Sequence, residues 1–131
     1  NCLRQRNCIG MVAEHDERAV GFMVYELSKT RIRVLNFAVA ESFRRRGAGS
    51  QMMSKLIGKL STQRRSRITL EVRETNLAAQ LFFRAVGFRA VSVLRQFYAD
   101  TPEDAYLMHY RYRPEDQPQI LPINRITRLA G

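Results

Sequence analysis

Between Ile32 and Arg73 the hydrophobic period changes twice, and this limits the fold more than any other feature of the chain. Ile32 to Val39 (IRVLNFAV) is rich in β-favouring residues and reads as a strand. Its alternation slips at Val34-Leu35, where two apolar residues adjoin, as a β-bulge would produce. From Gly47 to Thr62 the apolar residues Met52, Met53, Leu56, Ile57 and Leu60 recur at the spacing of one helical stripe. Ile68 to Arg73 (ITLEVR) then alternates strictly. Ile68, Leu70 and Val72 take one face, and Thr69, Glu71 and Arg73 the other. Strand, helix and strand in this order make a central βαβ unit.

The flanks read as hairpins. Ile9 to Glu14 is a short strand ended by the polar cluster His15-Asp16-Glu17-Arg18. Ala19 to Leu27 is nearly continuous in hydrophobicity, which suggests a strand buried on both faces. Asn76 is an N-cap for a helix running to about Val86, with Leu77, Leu81, Phe82 and Ala85 expected inward and Gly87 as its stop. Phe88 to Tyr98 and Ala105 to Tyr112 read as two strands joined by the loop Asp100 to Asp104. The expected class is α/β (α+β): a mixed, mostly antiparallel sheet with helices packed on it. The 131 residues suit one domain, read as 1–113, followed by a polar, Pro-containing tail over 114–131.

Charge narrows the partners. Lys and Arg number 22 against 12 Asp and Glu, a formal net charge of +10, and only Lys29, Lys55 and Lys59 are lysines. Arginine offers a planar fork for phosphate and carboxylate, so anionic partners are favoured. No apolar run approaches the roughly 20 residues that span a bilayer, and the first residues, NCLRQRNC, lack a signal-peptide core. No membrane partner is expected, and the cytoplasm is the expected compartment. Cys2 and Cys8 make a poor disulfide framework and an incomplete zinc site. His15 and His109 have no partner at ligand spacing, so no metal is expected.

The chemistry concentrates where the strand ending at Val39 runs through Ala40-Glu41-Ser42-Phe43 into Arg44-Arg45-Arg46-Gly47-Ala48-Gly49 and a helix. Glycines let backbone approach a ligand, a helix N-terminus presents free N–H groups, and arginines add charge-assisted hydrogen bonds. The pattern is neither a Walker A loop nor a dinucleotide fingerprint. It is read as a pyrophosphate site.

The segment RRRGAG after NFAV resembles the acetyl-CoA loop of the GNAT acetyltransferases. LEVRETNLAAQLFFRAVGF resembles the strand-helix segment of the same superfamily, and RQFYADTPEDAYLM is similar to the peptide-binding hairpin of its RimI-type N-terminal acetyltransferases. The resemblance implies an acetyl-CoA-dependent enzyme acting on a protein N-terminal α-amine, a ribosomal protein among the acceptors. It places Phe37, Ala38 and Val39 along the pantetheine arm, and Arg44, Arg45, Arg46, Gly47, Ala48, Gly49 and Ser50 around the pyrophosphate. Asn76 would contact the cofactor arm. Glu71 matches the family's general base, whose alternative role is an ion pair with Arg73 or with an arginine across the sheet. Tyr98, Tyr106 and Tyr25 are the implied substrate-side aromatics. Phe83 stands in the cofactor region where the RimI type carries a tyrosine thought to protonate the leaving thiolate, and Tyr98 is the replacement donor considered. The family fold begins with a strand and helices that have no counterpart here, so the sequence reads as N-terminally trimmed. Competing readings are acetylation of a small amine or lysine, a catalytically silent acyl-CoA-binding domain, and a basic RNA-binding module. Nucleic acid is not required by the leading reading, which allows weak ribosome or RNA association.

Overall fold

The computed structural model describes residues 7–44 and 46–113, so Arg45, Cys2 and the stretch read as a tail lie outside the described residues. Six strands form one sheet: β1 (Cys8–His15), β2 (Arg18–Leu27), β3 (Arg31–Val39), β4 (Arg67–Arg73), β5 (Arg89–Leu94) and β6 (Ala105–Arg111). Their order is β1-β2-β3-β4-β6-β5. Only β3 and β4 run parallel, and α1 (Ala48–Ile57) makes the crossover between them. The second helix, α2 (Leu77–Val86), links β4 to β5. The mixed, mostly antiparallel sheet with a central βαβ unit is therefore as expected.

Local chemistry explains most boundaries. Asp16 and Glu17 close the first hairpin with φ of 52° and 63°, as a tight two-residue turn requires. Tyr25 pairs with Val34 and Val24 with Asn36, leaving Leu35 as the extra residue of a bulge at the predicted slip. Asn76 caps α2, its side-chain oxygen accepting the Ala79 N–H at 3.1 Å, and Gly87 at φ 123° ends the helix. The first helix is shorter than its apolar stripe, because the chain turns at Gly58 and Leu60 reaches the core from beyond the helix. β5 stops at Leu94, where Gln96 at φ 47° breaks the extended run, so Tyr98 sits in a loop and not in a strand.

Both helices cover one face of the sheet. Met52, Met53 and Leu56 of α1 and Phe83 of α2 join Met23, Ile32, Ile68, Leu70, Phe88 and Met108 in one core. Fully burying one such side chain contributes about 1.5–3 kcal/mol. Two packing expectations are corrected. β2 is not buried on both faces, since Phe22 is 46 % exposed on the side away from the helices. On α2, Phe83 is buried, with Ala79, Phe82 and Val86 partly buried against the core, while Leu77 and Leu81 are 63 % and 60 % exposed. Nearly every residue of LAAQLFFRAV is apolar, so spacing alone does not choose the inward stripe. Cys8 is buried. No helix of the described residues is long and apolar enough to cross a membrane.

Candidate active site

The parallel pairing of β3 and β4 lasts only from Arg31 to Arg33 on one strand and Arg67 to Thr69 on the other. Beyond the Leu35 bulge the two strands part. The edge of β3 from Val34 onward has no ladder partner on the β4 side, and such an edge can pair with an added chain. A cavity of about 290 Å³ opens between the strands, lined by Asn36, Phe37, Glu71, Arg73, Asn76, Phe83 and Tyr98 among others. A second, of about 400 Å³, is lined by Phe37, Ala38, Val39, Arg44, Gly49, Asn76, Phe82 and Phe83 with Ala78 and Ala79. Phe37, Asn76, Ala79 and Phe83 line both, so the two form one continuous cleft.

The second cavity ends at the start of α1. Gly47 is the N-cap at φ 85°, a left-handed conformation that favours glycine, and no side chain caps the helix. Gln51 N–H bonds Gly47 O at 3.0 Å, so the N–H groups ahead of it have no intrahelical acceptor. Arg44 lines this cavity, its Nε donating to Val39 O at 3.0 Å. Arg46 lies over the Phe43 ring at 4.7 Å and lines neither cavity; Ser50, exposed in the first turn of α1, also lines neither. Gly49 is buried. A Cβ there would come within 3.2 Å of Phe82 and 3.4 Å of Phe37, so its smallness keeps two rings seated in the cleft wall. Bare backbone N–H groups, an arginine and apolar walls match a phosphorylated ligand with a flexible arm.

Glu71 points into the first cavity and is 13 % exposed at its side chain. Arg33 Nη2 donates to its Oε1 at 3.2 Å, which realises the ion pair across the sheet. Its other oxygen accepts no hydrogen bond from the described residues. Tyr98 is half-buried beside it, and its phenol is held above the ordinary tyrosine range, chiefly by burial, with Arg73 opposing and Glu71, Glu103 and Asp100 reinforcing. The group is therefore a proton-bearing donor near neutrality, not a base.

Arg73, which the sequence offers as a partner for Glu71, organises this loop instead. Its Nη2 donates to both oxygens of Asp100, at 3.3 and 3.1 Å, and its Nη1 to Thr101 and Glu103, both at 3.2 Å. The guanidinium lies 3.8 Å from the Tyr98 ring centroid. Thr75 also donates to Glu103, and Asp104 N–H to Glu74 at 2.9 Å, so the loop is stitched to the turn before α2. Alternation put Arg73 on the face of Glu71, but its loop partners lie 27 to 30 residues away.

Two tyrosines leave the site. Tyr25 is 2 % exposed in the core, its phenol raised by burial, and lines neither cavity. Tyr106 packs against the core, opposite Val72. Both face the helices because of strand parity, as ordinary strand aromatics do. Phe83 is 6 % exposed among Phe37, Phe82 and Phe88. Among the described residues no cluster of His, Cys, Asp or Glu is arranged to hold a metal ion.

Residues 1–88 match the family model described as the acetyltransferase (GNAT) family. The chain belongs to the GNAT acetyltransferases. Within that family it is 33 % identical over 95 residues to a [ribosomal protein bS18]-alanine N-acetyltransferase of Salmonella typhimurium, covering 71 % of this chain and 64 % of that protein. An N-alpha-acetyltransferase of Sulfurisphaera tokodaii is 31 % identical over 119 residues, covering 81 % of this chain and 71 % of the relative. Among solved structures, Ard1 from Thermoplasma volcanium superposes with a TM-score of 0.68 at 35 % identity, over 75 % of this chain and 66 % of that one. The chain thus spans about two thirds of the length of these relatives. The GNAT match ends before β5, so Tyr98 and its loop lie outside it.

Proposed function

We propose that this GNAT domain binds acetyl-CoA in the continuous cleft and transfers the acetyl group to a protein N-terminal α-amine in the cytoplasm. One observation carries the reading. The cavity that ends at a bare helix N-terminus and Arg44 runs, through four shared residues, into the cavity that holds Glu71 and Tyr98. An anion-binding pocket and a proton-handling pocket are then joined by an apolar channel. The relatives that act on protein N-termini support the choice of acceptor, with a ribosomal protein as one candidate.

The fit of the residues is specific. The α1 N–H groups with Arg44 would hold the pyrophosphate, and Arg46 precedes them in the same loop. The free edge of β3 at Phe37, Ala38 and Val39 would bond the amides of the arm, and Phe82 and Phe83 would wall it. Bound acetyl-CoA supplies the acyl group as an activated thioester. Glu71, through its free oxygen or a water, takes the proton that the incoming ammonium must lose. Tyr98 holds a proton at its phenol oxygen and donates it, as a hydrogen bond, where negative charge develops on the leaving sulfur. Arg73 fixes that phenol by gripping the loop. Among the described residues no Cys, Ser or Thr lines either cavity, which supports direct transfer.

Phe83 favours a second reading, a domain that binds acyl-CoA but turns over poorly, because no hydroxyl stands at that buried position. Thiol release from acetyl-CoA, measured with peptides bearing free N-termini and with the same peptides blocked, separates the two. Turnover with free N-termini only supports the transferase. Binding of acetyl-CoA without turnover supports the second reading.

A further inference from the structure

The sheet face opposite the helices carries a row of arginines in direct cross-strand register. Arg31 of β3 pairs with Arg67 of β4, and Arg67 with Arg111 of β6. Neighbouring strands lie about 4.8 Å apart, so three like charges stand side by side, an arrangement that is destabilising in itself. One register step on, Arg33, Thr69, His109 and Arg89 form the next row across four strands. Arg33 is neutralised by Glu71, and Arg31 donates to Thr69 at 3.4 Å. Among the described residues Arg67, Arg89 and Arg111 have no acidic partner, and Arg89 and Arg111 are exposed. Glu41 is the only acid between Leu27 and Glu71, and none lies between Ala105 and Arg113. Ser66 N–H to Thr30 O and Arg65 Nε to Ser28 O bring Arg64, Arg65 and Lys29 to the same end of the sheet. The charge is felt locally: burial first, then Arg111 and Arg67, hold His109 below its ordinary range.

We propose that this face, built on Arg31, Arg67, Arg89 and Arg111, is a docking surface for the phosphate backbone of RNA, separate from the acetyl-transfer cleft. Like charges held in register by a sheet are compensated by a partner with its own regular array of negative charge. Arginine forks suit phosphate oxygens. His109 is the one ring in the two rows, flanked by Thr69 and Arg89, and arginine forks outnumber it, so recognition is chiefly by backbone charge and independent of sequence. A surface of this kind would hold the enzyme near nucleoprotein without entering its chemistry.

The test uses the full chain and a fluorescently labelled 20-base-pair RNA duplex, with anisotropy titrations from 50 to 200 mM salt. The triple variant Arg67→Gln, Arg89→Gln, Arg111→Gln leaves the bonds of Arg31 and Arg33 in place. It is expected to lower the slope of log affinity against log salt by about one per arginine removed, about three in all. Acetyl-CoA affinity should stay within twofold. The control Lys55→Gln, Lys59→Gln, Arg84→Gln removes the same charge from the helices and the turn after α1 and should leave the slope unchanged. Arg111→Gln alone, at an exposed site, should lower it by about one. No RNA binding by the wild type at 50 mM salt, an unchanged slope in the triple variant, or an equal fall in the control would overturn the proposal. Tighter binding of a glutamate-rich peptide of equal charge would overturn the assignment to RNA.

Discussion

Asn76 serves two ends at once, and they can be pulled apart. Its Oδ1 accepts the Ala79 N–H at 3.1 Å as the cap of α2, while its side chain lines both cavities and its NH₂ bonds nothing among the described residues. Asn76→Ala removes both roles. Loss of the cap costs about 1 kcal/mol, or about 3–6 °C in thermal midpoint for a chain of this size. Asn76→Ser keeps a capping oxygen and should stay within a few tenths of a kcal/mol of the wild type. It cannot supply the amide hydrogens to a ligand. If the NH₂ donates to the acetyl-CoA arm, losing one hydrogen bond worth about 0.5–1.5 kcal/mol weakens binding about two- to twelvefold. Calorimetric titration of coenzyme A and thermal melts, run on both variants, give the answer. Equal coenzyme A affinity in Asn76→Ser and wild type would show that the residue is only a cap. An unchanged melting point in Asn76→Ala would refute the capping argument itself.

Other expectations are simpler to state. Glu71→Gln keeps the shape but not the charge facing Arg33; kcat should fall at least about tenfold with acetyl-CoA affinity nearly intact, and an unchanged rate across pH would remove Glu71 as the base. Phe83→Tyr restores a hydroxyl to the cleft wall and should raise kcat if protonation of the thiolate limits the rate; no change would mean that Tyr98 or water suffices. Arg73→Ala frees the loop that carries Tyr98, so kcat should fall and the loop should become sensitive to protease, whereas a loss of stability with kcat unchanged would deny it a positioning role. Glu103 is held below its ordinary 4.5, chiefly by the Thr75 hydroxyl and then by Thr101 and Arg73. A depressed carboxylate contributes stability that is present above pH 4.5 and lost as pH falls through its folded value. Melting points between pH 3 and 6 should therefore fall less steeply in Glu103→Gln, and identical curves would count against the loop network.

The sequence by itself determined everything that depends on neighbours a few residues apart. The switch from a period of two to 3.6 and back set the β3-α1-β4 unit, because backbone geometry alone decides which side chains share a face. Asn76 and Gly87 bounded α2 through local hydrogen bonding and a positive φ, and Val34-Leu35 announced a bulge in the strand itself. Arg44-Arg45-Arg46-Gly47-Ala48-Gly49 marked the start of α1, the helix end we propose as the anion site. Tertiary structure decided what depends on which strand lies beside which. It parted β3 from β4 beyond Arg33, paired Arg33 with Glu71 38 residues away, and drew Arg73 onto Asp100 and Glu103. It sent Tyr25 and Tyr106 into the core and turned Leu77 and Leu81 outward on a helix apolar on nearly every side. It also aligned Arg31, Arg67 and Arg111, which no stretch of sequence places together. Such contacts are fixed by register and by competition for one buried face, and both belong to the assembled sheet.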